Sequence, residues 1–209
     1  FVPFNAWACD HLEEMMFPVE TWGRRVAMSA PMRPEGGSVA PTIYRVLAHQ
    51  DGTNLSFSGG VHDDAQLDAG ELLEFTSTMD FVIDGNLSFH VAQFLVGQDA
   101  LNSNAGDPAM GSGIPLNQWR SEYDFLVPDT YSSNYANLVA PAGTVVYLDG
   151  AEVIGWQAMD DTEFAVARIE VEAGAHRLES VADVGFGVTS YGYALFTSYL
   201  YPGGMNFLR

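Results

Sequence analysis

The stretch Asp10-His11-Leu12-Glu13-Glu14 concentrates carboxylates near one end of the chain. Wound into a helix, Asp10, Glu13 and Glu14 share a face and offer hard oxygen ligands, which makes Ca²⁺ the candidate ion. The competing reading is a helix start. Asp10 is then the N-cap, Glu13 three residues on completes a capping box, and Pro18 stops the helix, which makes Asp10–Met16 a short helical segment. His62-Asp63-Asp64 also holds ligand types, but it falls between two strand-like runs and reads as an exposed loop. Neither stretch has EF-hand spacing. No cofactor other than Ca²⁺ is expected.

Cys9 is the only cysteine. It excludes an internal disulfide and any multi-cysteine metal cluster. Two readings stay open: a buried inert thiol, or half of a disulfide to a segment upstream of Phe1. The start at Phe1, without a charged-then-apolar leader, reads as a mature product or a trimmed fragment.

Five histidines (His11, His49, His62, His90, His176) are spread along the chain without a Gly-x-Ser-x-Gly elbow or a phosphate-cradling glycine loop. Carboxylate pairs among 27 acidic residues arise by chance and signal no glycosidase chemistry. No catalytic residue is assigned. Tyr191, Tyr193, Tyr199 and Tyr201 make a tyrosine-rich end. Tyr191 and Tyr193 alternate and so point to one face of a strand. Exposed, these four suit contact with sugar or protein, because tyrosine adds area and a hydroxyl at low entropy cost. Buried, they are core with hydroxyls at the rim.

The elements that must position these residues follow from composition and pattern. The 209 residues are 47% hydrophobic and 17% charged, a globular balance. Eight arginines and no lysine stand against the 27 acids, for a formal charge of -19. Such a field repels nucleic acid and anionic membranes, and no apolar run approaches membrane-helix length. Short strand-like runs separated by Gly, Asp, Asn and Ser fill the chain. They are Thr42–Leu47, Leu55–Phe57, Leu72–Phe75 and Phe89–Val96, then Tyr123–Val127, Thr144–Leu148, Ala165–Val171, His176–Glu179 and Gly187–Tyr193.

The chain also repeats itself. Asp10 and Asp107, Pro18 and Pro115, Trp22 and Trp119, and Pro31 and Pro128 are each 97 positions apart. This order predicts an all-β protein of two tandem β-sandwich repeats with a short N-terminal helical segment. The expected division is a tail of a preceding unit at 1–17, one sandwich at 18–114 and a second at 115–209. Trp22 and Trp119 are expected in equivalent positions near the start of each unit, anchoring its core.

The run Cys9-Asp10-His11-Leu12-Glu13-Glu14-Met15 with Phe17-Pro18-Val19-Glu20-Thr21-Trp22-Gly23 resembles a signature of the IgGFc-binding protein N-terminal domain family. Matching pieces follow in the family's order. They include Tyr44-Arg45-Val46-Leu47-Ala48, Leu67-Asp68-Ala69-Gly70-Glu71, Val91–Gly97, Phe125-Leu126-Val127-Pro128 and Tyr191-Gly192-Tyr193. The chain is similar to the C-terminal two-thirds of that domain. The resemblance implies a second cysteine upstream as the partner of Cys9. It also implies an extracellular or cell-surface location and a binding or adhesive role, and it supplies no catalytic residues. Gly106-Asp107-Pro108-Ala109 is similar to a Gly-Asp-Pro-His segment at which mucin-type domains cleave themselves. Ala109 removes the proton-transferring group, and the match of Asp107 to Asp10 explains the segment as a turn.

These readings converge on a non-enzymatic extracellular module. It binds a protein or glycan, or self-assembles into a fibre or surface layer, through its sandwich surfaces, with no nucleic-acid partner and no membrane insertion. The alternative is a carbohydrate- or calcium-binding accessory module of a secreted enzyme.

Overall fold

The computed structural model describes residues 11–207. These form an all-β fold of three antiparallel sheets.

In the first sheet the strands are β1 (Gly23–Met28), β2 (Thr42–Ala48), β3 (Thr53–Phe57), β4 (Ala65–Leu67), β5 (Leu72–Ser77), β6 (Phe81–Leu95) and β7 (Ala109–Ser112). They run in the order β4-β3-β6-β2-β5, with β1 and β7 also on β6. One strand serves four partners because β6 is two runs in series. Its first residues pair with β1 and β3. Its last seven pair with β2, and the final four of those also with β7. Between the runs the ladder to β1 jumps register: Arg25 faces Asp84, while Gly23 faces Phe89. Gly85 permits the bend, since a Cβ there would lie 2.8 Å from the Phe89 ring. The curled sheet encloses Val26, Tyr44, Val46, Leu55, Phe81, Ile83, Phe89 and Val91.

The second sheet holds β8 (Glu122–Val127), β10 (Val146–Leu148), β11 (Ala151–Glu152) and β14 (Gly174–Ser180). The third holds β9 (Ser133–Pro141), β12 (Gln157–Ala158), β13 (Phe164–Glu170), β15 (Gly187–Ala194) and β16 (Thr197–Pro202). Period-two patterning sets their faces. On β8, Tyr123, Phe125 and Val127 point in while Glu122, Asp124 and Leu126 point out. On β9, Ala136, Leu138 and Ala140 meet the second sheet across a core that also holds Leu178, Phe186 and Val188. Each large apolar side chain buried there contributes roughly 1.5–3 kcal/mol.

The opposite face of the third sheet packs on the first. Val139, Phe164, Val166 and Trp119 meet Val82 and Ile114 there, and Tyr135, Tyr191, Tyr193 and Leu200 meet Leu95 and Ala109. Charged contacts reinforce the seam. Arg25 binds both oxygens of Glu163, and Arg168 pairs with Asp80 while its Nε donates to the Ala30 carbonyl over 3.0 Å.

The expected helical segment is not present in its described part: residues 11–18 carry neither helix nor strand. A single turn ahead of Pro18 cannot offset the cost of helix nucleation, and Glu13, Glu14, Met15 and Met16 are exposed, so packing supplies no compensation. Pro18 instead caps a 3₁₀ turn over Val19–Thr21, as Pro115 caps one over Leu116–Gln118.

Trp22 and Trp119 follow these two turns in matching positions. Each indole Nε1 donates to the carbonyl five residues back, Trp22 to Phe17 at 3.0 Å and Trp119 to Ile114 at 3.3 Å. They do not share the expected core-anchoring role. Trp119 is buried in the seam between the first and third sheets, and Trp22 is half-buried against two histidine rings.

Candidate binding surface

The four tyrosines divide between the two faces of the third sheet. Tyr191 and Tyr193 are fully buried on the face toward the first sheet. The Tyr191 hydroxyl donates to Asn137 Oδ1 at 2.7 Å and accepts from the Met32 amide at 2.8 Å. Tyr193 donates to the Met32 carbonyl at 2.9 Å. Burial pushes both phenols well above the usual tyrosine range, so they stay neutral donors. These two hold the strap around Met32 and present nothing to a ligand.

Tyr199 and Tyr201 lie on the other face and are half-exposed. Gly192 on the paired strand makes room for Tyr199, because a Cβ there would lie 2.5 Å from its ring. Tyr199 stacks on Tyr201 with centroids 5.7 Å apart and meets Tyr131 edge-on at 4.7 Å. The Tyr199 hydroxyl donates to Asn134 Oδ1 at 3.1 Å, and that of Tyr201 to the Leu126 carbonyl. Desolvation raises the Tyr199 phenol to about 12. With the hydroxyls committed, the ring faces and edges are what the surface offers.

This aromatic row ends at the β15–β16 hairpin tip, where Leu195 and Phe196 are 66% and 65% exposed. Ala194 pairs with Thr197, which leaves Leu195-Phe196 as a two-residue turn. Phe196 takes a left-handed φ of 56°, a conformation that costs an L-residue roughly 1–2 kcal/mol and that glycine would adopt freely. Folding has no need of an exposed phenyl ring there. Sequence reasoning missed Leu195 and Phe196 because Ala-Leu-Phe-Thr contains no turn-forming residue.

The acidic candidates are only partly within the described residues. Asp10 and Cys9 lie outside the described residues. Glu13 and Glu14 are exposed, and Glu13 pairs with His11 at 3.2 Å. Among the described residues, no group of three His, Cys, Asp or Glu side chains is placed to hold a metal ion. His62 packs between Phe57 and Phe75, with centroids 5.2 Å from each, and closes the gap between β3 and β5. His176 packs at a tilt against Phe125 and bonds Asp149 at 2.7 Å. Burial lowers its pKa, but the bonds to Asp149 and to the Glu172 carbonyl outweigh that, for a net rise. His90 is buried, its pKa lowered by desolvation to about 4. Residues 106–109 strap the β15–β16 hairpin through Gly106 N to the Ala194 carbonyl and Asp107 N to Ser198 Oγ, both at 2.9 Å.

A family model described as IgGFc binding protein matches residues 1–192. No curated protein matches the chain. Among solved structures, an anti-sigma factor domain-containing protein is 11% identical with a TM-score of 0.26, covering 86% of this chain and 82% of its own. Another, from Clostridium clariflavum, is 11% identical with a TM-score of 0.25, covering 88% and 83%.

Proposed function

From the premise that this chain belongs to the IgGFc-binding protein family, a family of binding domains, we propose that it is an extracellular, non-enzymatic module that adheres to a protein partner or to copies of itself. The contact surface is the row Tyr201–Tyr199–Tyr131 continued by Leu195 and Phe196. The observation that carries this reading is Phe196: a large apolar ring held exposed at a strained turn position that glycine would fill more comfortably. Aromatic rows of this kind supply contact area at low entropy cost. Surface complementarity is the whole mechanism, and no covalent step is involved.

The same proposal divides the chain into two units, 18–114 and 115–209, after a tail at 1–17. Support comes from the pairing scheme. β1 and β3 flank the first run of β6 as β8 and β10 flank β14. β2 joins β5 to the second run of β6 as β9 joins β13 to β15, and β7 and β16 close the two arrangements.

The test compares the wild-type chain with the double variant Leu195→Ser/Phe196→Gly. Binding to immobilised IgG Fc and self-association by sedimentation are the two readouts. The wild type is expected to show at least one of them, and the variant to lose it with an unchanged circular dichroism spectrum. Absence of both in the wild type, or equal behaviour of the variant, overturns the assignment.

A further inference from the structure

A second recessed site lies away from the tyrosine row, where the ladder between β1 and β6 opens. The register jump from Arg25↔Asp84 to Gly23↔Phe89 leaves residues 85–88 without partners on β1. The opening forms a hollow of about 490 Å³ lined by Trp22, Arg24, Arg25, Ser88, Leu116 and Asn117. That size falls within the range of small-ligand sites. It sits where the first sheet meets the turn leading into β8. The approach is close, since a Cβ on Gly23 would lie 2.3 Å from Pro115 Cβ and 2.6 Å from Asn117 Oδ1.

Three features give the hollow a chemistry. First, the Trp22 indole is a rigid wall. Its Nε1 is tied to the Phe17 carbonyl at 3.0 Å, and its ring rests against His90 at 5.2 Å and His49 at 5.5 Å. Second, the two arginines differ. Arg25 is neutralised by Glu163 and Asp84, whereas among the described residues no carboxylate pairs with the exposed Arg24. In a chain of charge -19, an unspent guanidinium beside a tryptophan wall is set apart from the general acidity. Third, Ser88 and Asn117 add a hydroxyl and an amide at the rim.

The matching tryptophan shows that this is not required by the turn. Trp119 follows the same 3₁₀ turn and makes the same indole bond, yet it is only 8% exposed and is covered by Phe164 at 5.5 Å. Burial of one tryptophan satisfies packing, while the other is left facing a hollow.

We propose that this hollow binds a carboxylate-bearing pyranose, a uronic-acid type of sugar. The apolar face of a sugar ring stacks on Trp22. The guanidinium of Arg24 takes the carboxylate through its planar fork, a geometry that lysine or a neutral amide does not supply. Ser88 and Asn117 exchange hydrogen bonds with the ring hydroxyls. An indole already fixed by three contacts loses little freedom on binding, which favours affinity.

The test is a two-dimensional amide and indole NMR titration of the full chain with glucuronate and, separately, with glucose. Trp22→Phe assigns the indole signal. Glucuronate is expected to shift the Trp22 indole with the Ser88 and Asn117 signals, and glucose to do so about tenfold more weakly. Arg24→Gln, at an exposed position, is expected to abolish that preference while leaving the rest of the spectrum in place. Failure of glucuronate to shift these signals, or an Arg24→Gln variant that binds it as tightly as wild type, overturns the proposal. None of these residues belongs to the tyrosine row, so the hairpin-tip reading stands or falls separately.

Discussion

Tyr191 on β15 donates a 2.7 Å hydrogen bond to Asn137 on β9, and the Asn137 amide reaches across to the Ala30 carbonyl at 3.0 Å and Ser29 Oγ at 3.1 Å. Two buried polar side chains thus fasten the strap after β1 to the third sheet. Removing one leaves buried partners unpaired, at about 1–3 kcal/mol for each group. Asn137→Leu is expected to destabilise the protein by about 3 kcal/mol and Tyr191→Phe by about 1–2 kcal/mol. Together they should cost less than the sum, because they share one bond. Urea unfolding of the three variants checks this, and strict additivity would show the bond to be worth nothing.

The two tryptophans are expected to differ as their burial does. Trp119→Ala empties a packed seam and should cost about 3–5 kcal/mol. Trp22→Ala removes a half-exposed ring and should cost less than half as much. Equal losses in thermal unfolding would contradict the placement of Trp22 at a hollow.

Acid should loosen the first sheet through His90. Its folded pKa of about 4 lies below the unfolded value near 6.5 because burial opposes the charged form. As pH falls below about 6.5 the unfolded chain takes a proton that the folded chain refuses. Stability is therefore lost progressively down to about pH 4, by up to about 3 kcal/mol. His176 acts in the opposite sense. Its raised pKa contributes stability below the unfolded value that is lost as pH rises through the folded one. His90→Gln is expected to flatten the acid limb between pH 6.5 and 4. His176→Gln is expected to leave the slope of that limb unchanged and to remove the loss of stability as pH rises above 6.5. Unfolding curves from pH 4 to pH 8 decide.

Salt should stabilise the chain. Repulsion at a charge of -19 acts on the compact state more than on the expanded one, and 0.1 M salt screens it beyond about 10 Å. NaCl and CaCl₂ at matched ionic strength are expected to raise the melting midpoint alike. A response to low-millimolar Ca²⁺ reversed by chelator would instead mark a specific site, with Asp10, Glu13 and Glu14 as first suspects. An unchanged midpoint in both salts would refute the screening argument.

Strands whose apolar residues alternate were legible from sequence. Thr42–Leu47 and Tyr123–Val127 lie within β2 and β8, with their inward residues in the two cores. β9 and β16 were not legible. Asn134 and Asn137 interrupt the apolar pattern of β9, and only the partners that satisfy Asn137 explain a polar residue in a central strand. The first run of β6 was missed because Asp84, Gly85 and Asn86 read as a turn, whereas the chain bends there without leaving the sheet.

The sequence by itself determined the all-β class, the acidic surface, the family and the matching positions of the two tryptophans, because these depend on residue type, period and spacing. The tertiary structure alone decided what each aromatic residue faces. Tyr191 and Tyr193 alternate as surface residues do, but a second layer covers their face. Trp22 and Trp119 open from the same turn, but Phe164 covers only one of them. Burial is a property of what packs against a face, and the covering residues lie tens of positions away along the chain.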